Sequence, residues 1–256
     1  MPNEPEQTSR AVLVTGASRG IGRAIALAFA AQGDRVAVHA NTSRAQAEEV
    51  LAELPGEGHT VVQADVADPE AIGRAVDEAA AALGGLHVLV NNAAVFTAHP
   101  PLETSYAEWQ AAWSRTLAVN LLGPANATFR ALPHLIASGG GAVVNVSSRG
   151  AFRGEPNTPA YGASKAGLNA FGQSMALALA PHGISVGTVA PGFVQTEMAR
   201  EVLDGPGGDA VRAQSPYGRV ARPEEVAAAV LWLASPQASF STGTIIDVNG
   251  ASYLRS

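Results

Sequence analysis

The chain contains no cysteine. That excludes disulfides, thiolate metal ligands, cysteine nucleophiles and iron–sulfur clusters. Basic runs are absent too: 16 Lys and Arg stand against 22 Asp and Glu, a net charge of −6. This balance argues against nucleic acid as the main partner. No apolar run approaches the ~18 residues needed to cross a membrane; the longest are of the Val226–Ala234 kind. Met1 to Arg10 is polar and acidic, without the apolar stretch of a signal peptide. A soluble, cytoplasmic protein is expected, with residues 1–9 as a disordered tail.

What the chain does have is length and apolar content. Its 256 residues are 47% hydrophobic and include 27 glycines, enough for one large core. Short β-branched runs alternate with longer Ala-rich segments. Strands are expected at Ala11–Thr15, Arg35–Ala40, Thr60–Ala64, Leu86–Asn91, Ala142–Ser147, Ile184–Ala190 and Thr244–Val248. Most are continuously apolar, as parallel strands covered on both faces should be. Helices are expected at Ile21–Gln32, Ala45–Leu54, Pro69–Leu83, Ala107–Ile136, Ala160–Ala180 and Glu224–Ala234. Gly33, Gly84 and Gly183 stand where C-caps belong, and Pro69 and Pro223 near helix starts. This alternation predicts an α/β fold: a Rossmann-type, doubly wound parallel sheet of about seven strands with helices on both faces. No linker or repeat interrupts it, so residues 10–256 read as a single domain.

The first strand runs into Thr15-Gly16-Ala17-Ser18-Arg19-Gly20-Ile21-Gly22 and then a helix. Glycines there let the backbone approach a pyrophosphate held at the helix N-terminus. The spacing is G-x-x-x-G-x-G, and no G-K-[ST] follows, so it is not a P-loop. The same residues spell G-x-S-x-G, the nucleophile elbow of an α/β-hydrolase. Against that, no strands precede the elbow, and His182 is nearly alone among late histidines. The six histidines in general read as surface or capping residues, and no metal site is expected.

A second site opens a long helix: Tyr161 and Lys165, four apart, share one face. Asn145-Val146-Ser147-Ser148 ends a strand thirteen residues earlier, and Asn120 lies inside a helix, a poor place for Asn by propensity. With these residues in view the chain resembles the short-chain dehydrogenase/reductase family from Val12 to about Gly250. Thr15–Gly22 resembles the family's TGxxxGxG cofactor turn, and Asp65-Val66 its adenine-binding pair. Asn91-Asn92-Ala93-Ala94 resembles NNAG, with Ala94 where Gly is usual. Pro191-Gly192-Phe193-Val194-Gln195-Thr196 resembles the nicotinamide-carboxamide segment. Arg222–Ala227 and Ser241-Thr242-Gly243 resemble the C-terminal signature, while Asn249-Gly250-Ala251 departs from the usual D-G-G. The similarity is nearest to the 3-oxoacyl-carrier-protein reductase-like branch.

The resemblance implies an oxidoreductase that interconverts a ketone and a secondary alcohol by hydride transfer. Tyr161 is then the acid/base. Lys165 lowers its pKa, together with the charge of an oxidised nicotinamide, and holds the ribose hydroxyls. Ser148 polarises the carbonyl, chosen over Ser147 because strand alternation sends the two side chains to opposite sides. Asn120 holds a water that contacts the lysine. Cofactor contacts fall to Gly16, Ser18, Arg19, Gly20, Ile21, Gly22, Asn41, Thr42, Ser43, Asp65, Val66, Asn91, Ala93, Tyr161, Lys165, Pro191, Gly192, Val194 and Thr196.

An NAD enzyme carries an acid at the end of the second strand. Here His39-Ala40-Asn41-Thr42-Ser43-Arg44 has none, while Arg19 and Arg44 can pair with a 2′-phosphate. NADP(H) is therefore expected, with NAD(H) the alternative. The substrate partner is a small carbonyl or alcohol compound. The resemblance implies that it is read by the loop holding Phe152, Arg153, Glu155 and Asn157 and by a lid around Leu203–Gly208, with Phe96, Phe152, Phe193 and Met198 as pocket candidates. The resemblance implies that the helices Ala107–Ile136 and Ala160–Ala180 pair across a two-fold axis in a homotetramer, or a homodimer. A silent nucleotide-sensing or scaffold protein on the same fold is the competing class; the intact Asn120, Ser148, Tyr161 and Lys165 set favours the enzyme.

Overall fold

The computed structural model describes residues 9–255, so the tail expected at residues 1–9 lies almost wholly outside the described residues. Seven parallel strands form one sheet: β1 (Ala11–Val14), β2 (Arg35–Ala40), β3 (Thr60–Gln63), β4 (Val88–Asn91), β5 (Gly141–Val146), β6 (Ile184–Pro191) and β7 (Ile245–Val248). Their order is β3-β2-β1-β4-β5-β6-β7. The chain winds outward from β1 to β3, then returns to place β4 on the other side of β1. That reversal opens a crevice above the carboxyl ends of β1 and β4, where open α/β sheets bind ligands.

Burial on both faces explains the continuous apolar strands. One face carries α1 (Gly20–Ala31), α2 (Arg44–Glu53) and α9 (Pro223–Leu233), packed through Ile25, Phe29, Val50 and Val230. The other carries α3 (Pro69–Leu83), α5 (Gly123–Ala137) and α6 (Pro159–Leu179), packed through Ile72, Leu83, Leu135 and Leu179. Local signals set the ends. Asp68 caps α3 by accepting from the Glu70 and Ala71 N–H groups, Pro69 opens the helix, and Gly84 closes it in the left-handed region at φ 70°.

Two departures from the sequence expectation bear on function. The helix expected at Ala107–Ile136 is α4 (Tyr106–Leu117) and α5 joined by a π turn at Ala118–Leu122 that contains Asn120. The segment expected as a glycine-rich lid, Leu203–Gly208, is the tight join between two short helices, α7 (Glu197–Asp204) and α8 (Gly208–Arg212). Leu203 is buried there, and Arg212 Nη2 donates to its carbonyl at 2.9 Å. A Cβ on Gly208 would fall 1.9 Å from that same carbonyl oxygen, so the glycine serves close packing.

Candidate active site

The glycine-rich turn follows β1 into the crevice. Gly16 sits at φ +63°, and a Cβ there would lie 2.9 Å from Ala93 Cα. A Cβ on Gly22 would lie 2.2 Å from the Gly16 carbonyl oxygen. Both positions therefore exclude a side chain. Gly20, at φ +54°, faces only Thr196. That brings the start of α1 beside the end of the Pro191–Thr196 segment.

Three side chains fix this turn. Thr15 Oγ1 accepts from the Asn92 and Ala93 N–H groups at 2.9 and 3.1 Å. Asn92 Nδ2 donates to the Thr15 and Gly16 carbonyls at 2.9 and 3.0 Å. His39 Nδ1 accepts from Gly16 N–H at 3.1 Å, which leaves the proton on Nε2 to donate to the Ala64 carbonyl. Burial pushes the His39 pKa down to about 4, so it stays neutral in this role. The expectation that the histidines are surface or capping residues fails for His39, which is fully buried; His99 is buried as well. His99 does cap α6, accepting from Ala160 N–H at 3.2 Å.

The second site lies where β5 meets α6. Tyr161 opens α6, and Lys165 Nζ reaches back one turn later to donate to the Val146 carbonyl at 2.8 Å. Nζ sits 5.8 Å from the Tyr161 ring centroid. Burial pulls the lysine pKa down to about 8. Burial also pushes the Tyr161 phenol above its ordinary value; the Ser148 hydroxyl opposes that rise and Glu155 adds to it. Without a cofactor's charge, burial is the largest influence on the phenol. Ser147 and Ser148 diverge as strand alternation requires. Ser147 is buried and donates to the Lys165 carbonyl at 3.3 Å, whereas Ser148 is half-buried on the Tyr161 side. Phe96 packs edge-on against the Tyr161 ring, with centroids 4.9 Å apart.

Some expected site residues are turned elsewhere. Asn120 is 0% exposed, and its amide is spent on the Val95 backbone in both directions (2.8 and 3.0 Å) and on Ser164 Oγ. Its side chain thus braces the loop after β4 and is not turned toward Lys165. Asn91 points into the sheet interior, donating to Asn145 Oδ1 and Thr128 Oγ1. Val66 and Val194 are buried side chains. These three can meet a cofactor only through their backbone. Asp65 is clasped by Arg115 of α4 at 2.9 and 3.3 Å and accepts from Ala67 N–H. Burial raises its pKa, but these hydrogen bonds outweigh it and hold the carboxyl below its usual range. Arg19 and Arg44 are exposed and paired with Glu197 and Glu48. Among the described residues no cluster of three His, Asp or Glu side chains could hold a metal ion, and no helix is long and apolar enough to cross a membrane.

Residues 16–251 match the family model described as enoyl-(acyl carrier protein) reductase. The 3-oxoacyl-[acyl-carrier-protein] reductase of Staphylococcus aureus is 36% identical over 248 residues, 96% of this chain and 99% of that protein. The chain belongs to the short-chain dehydrogenase/reductase family. Within it, this short-chain dehydrogenase/reductase falls in the 3-oxoacyl-carrier-protein reductase-like branch. Cis-4-hydroxycyclohexanecarboxylate dehydrogenase of Sinomonas cyclohexanicum is 39% identical over 243 residues, covering 94% of this chain and 95% of that one. Among solved structures, a short chain dehydrogenase from Burkholderia cenocepacia in complex with NADP superposes with a TM-score of 0.86 at 36% identity, covering 95% of this chain and 97% of that one.

Sequence reasoning on this short-chain dehydrogenase/reductase overlooked the residues that brace the site. Asn92 was visible in the NNAA motif but masked by its neighbour Asn91. His39, at the end of an apolar strand, carried only the signal of a polar residue among β-branched ones. Arg115 and Val95 gave no signal, because their partners are 50 and 25 residues away.

Proposed function

We propose that this chain is a soluble, cytoplasmic enzyme that reduces a ketone to a secondary alcohol, or runs the reverse oxidation. NADP(H) is the preferred hydride carrier and Tyr161 the acid/base. The observation that carries this reading is the convergence of Tyr161, Ser148 and the buried Lys165 at the carboxyl end of β5. The bound nicotinamide supplies or accepts the hydride. The rest of the chemistry belongs to side chains. Tyr161, raised by burial, stays protonated near neutral pH and donates its proton as the carbonyl oxygen becomes an alkoxide. Ser148 donates a hydrogen bond to that oxygen, where charge develops. Lys165, oriented by the Val146 carbonyl, offers its remaining N–H donors to ribose hydroxyls and its charge to the phenolate.

The glycine cradle fits a dinucleotide: side chains are excluded at Gly16 and Gly22, and the α1 N-terminus stands behind them. Cofactor contacts are assigned to the turn residues, to Asn41, Thr42 and Ser43, to Asp65, and to the Pro191–Thr196 segment. At the end of β2, Ala40 is buried and Asn41 and Thr42 are exposed, with no acid to accept from a ribose 2′-OH. Arg44 opens α2 four residues after Ala40, and Arg19 lies in the cofactor turn; with the NADP-bound relative they support NADP(H). Phe129 and Leu122 on the α5 side and Leu177 on α6 are exposed, consistent with the expected homotetramer, or a homodimer.

The test is NADPH and NADH oxidation with a panel of a 3-oxoacyl thioester, cyclic ketones with and without a carboxylate, and a keto sugar. Turnover of at least one carbonyl, faster with NADPH, is expected. No turnover across the panel with a correctly folded protein counts against the reading.

A further inference from the structure

His99 lies in the stretch after β4 and is 2% exposed. It ties three segments together. Its backbone N–H donates to the Asn157 carbonyl, in the loop after β5, at 2.8 Å. Its Nε2 accepts from the Ala160 N–H of α6 at 3.2 Å. The ring proton is therefore on Nδ1, which donates to the Thr97 carbonyl at 2.8 Å. Trp109 of α4 meets the imidazole edge-on, with ring centroids 5.4 Å apart. The bond to Ala160 supplies what the helix's own sequence does not. Thr158, the N-cap of α6, makes no side-chain cap, and Pro159 follows it. The Ala160 N–H is one of the unpaired first-turn donors that a cap ordinarily takes. Ala160 is fully buried, so losing the imidazole would leave a buried donor unmet. Tyr161 is the next residue.

The stretch that ends at His99 is pinned at its other end as well. Val95 exchanges two hydrogen bonds with the Asn120 side chain, and Asn120 Nδ2 also donates to Ser164 Oγ of α6 at 3.2 Å. Ser164 Oγ donates in turn to the Tyr161 carbonyl at 2.8 Å. Both pins thus lead to the first turns of α6. Phe96 lies between them, its ring edge-on against Tyr161. Phe96 is itself 45% exposed, so its place depends on the backbone that carries it.

We propose that His99 is a positioning residue for Tyr161: it ties residues 95–99 to the start of α6, so that the Phe96 ring stays on the phenol and the hydroxyl stays beside Ser148. This rests on the reading of Tyr161 as the acid/base and deepens it. The polar atoms of His99 are bonded to backbone groups, so it acts through Ala160 and Phe96 and not on the substrate. A shift of about 1 Å in a reacting group can cost about 10²-fold in rate, which is the leverage such a tie has.

Two substitutions separate the hydrogen bond from the bulk. His99→Phe keeps a ring beside Trp109 and removes the acceptor for Ala160. His99→Gln puts an amide oxygen near the place of Nε2. With NADPH and a carbonyl that the wild type reduces, kcat should fall at least about tenfold in His99→Phe and return to within about threefold of wild type in His99→Gln, with KM within about threefold in both. Phe96→Ala should also lower kcat, and the Phe96→Ala/His99→Phe double variant should lose less than the product of the two single losses. Hydrogen exchange reads the tie without turnover. The wild-type Ala160 amide should be protected like the interior of α6, lose at least about tenfold of that protection in His99→Phe and regain it in His99→Gln. A His99→Phe variant with a lower Tm and the wild-type kcat has lost only a structural contact and overturns the proposal. A His99→Gln variant as slow as His99→Phe, additive losses in the double variant, or a wild-type Ala160 amide that exchanges like an exposed loop overturns it too. If His99→Phe does not fold, the wild-type exchange and the His99→Gln rate still decide. If the wild type reduces no carbonyl, or Tyr161→Phe keeps the wild-type rate, the acid/base reading fails and the positioning role with it, while exchange still shows whether His99 holds the start of α6.

Discussion

Lys165 lies with its ammonium 5.8 Å from the centroid of the Tyr161 ring while donating to the Val146 carbonyl at 2.8 Å. The cation is held by one neutral acceptor in a buried place, and burial draws its pKa down to about 8. The folded value lies below the ordinary lysine value near 10.4. Between the two, the unfolded chain binds more protons, so stability rises with pH. The cost of burying Lys165 is full below pH 8 and fades as pH climbs to the ordinary value. Lys165→Met should therefore be more stable than wild type at pH 7 in urea unfolding, with the difference shrinking toward pH 10, while turnover is lost. A variant less stable at pH 7, or a difference that does not vary with pH, contradicts this.

Arg19 spans from the cofactor turn to Glu197 at 3.4 Å, with the two side chains 62% and 56% exposed. An exposed pair of this kind is worth about 0.2–1 kcal/mol. Glu197→Gln should release Arg19 and tighten NADPH binding by up to about fivefold at low salt. NADH, without the 2′-phosphate, should be unaffected, and high salt should erase the gain. Ala40→Asp should act in the opposite sense, weakening NADPH and improving NADH. Titrations of both cofactors at two ionic strengths check this; equal effects on NADPH and NADH would show that Arg19 does not face the 2′-phosphate.

Ala251 is the only non-glycine among the described residues at positive φ, 58°. It ends the Asn249-Gly250-Ala251 stretch, which departs from D-G-G. The left-handed region costs an L-residue roughly 1–2 kcal/mol, offset in part by the larger entropy a glycine loses on folding. Ala251→Gly should stabilise by roughly 0.5–1 kcal/mol, a rise of about 1–4 °C in Tm for a domain of this size. An unchanged or lower Tm contradicts the strain.

The sheet was legible because burial on both faces writes continuous apolar runs, and all seven expected strands coincide with observed ones to within two residues at each end. Tyr161 and Lys165 were legible because four residues on a helix make one face. The helices α7 and α8 were not, since eight and five residues with glycines between them carry too little periodicity. Nor was the fate of Asn120. Propensity marks an Asn in a helix as unusual, but its commitment to the Val95 backbone depends on a loop 25 residues away. The Asp65–Arg115 clasp is likewise a product of tertiary packing: the motif shows the acid and nothing shows its partner.

Tyr161 is the proposed proton donor, and Tyr161→Phe tests that role most directly. The substitution removes the hydroxyl and leaves the ring that packs edge-on against Phe96. Single-turnover reduction should fall by about 10²–10⁴-fold, the range for loss of a positioned general acid, with NADPH affinity within about threefold of wild type. Retention of most of the wild-type rate by a variant that binds NADPH normally would show that the proton comes from another group.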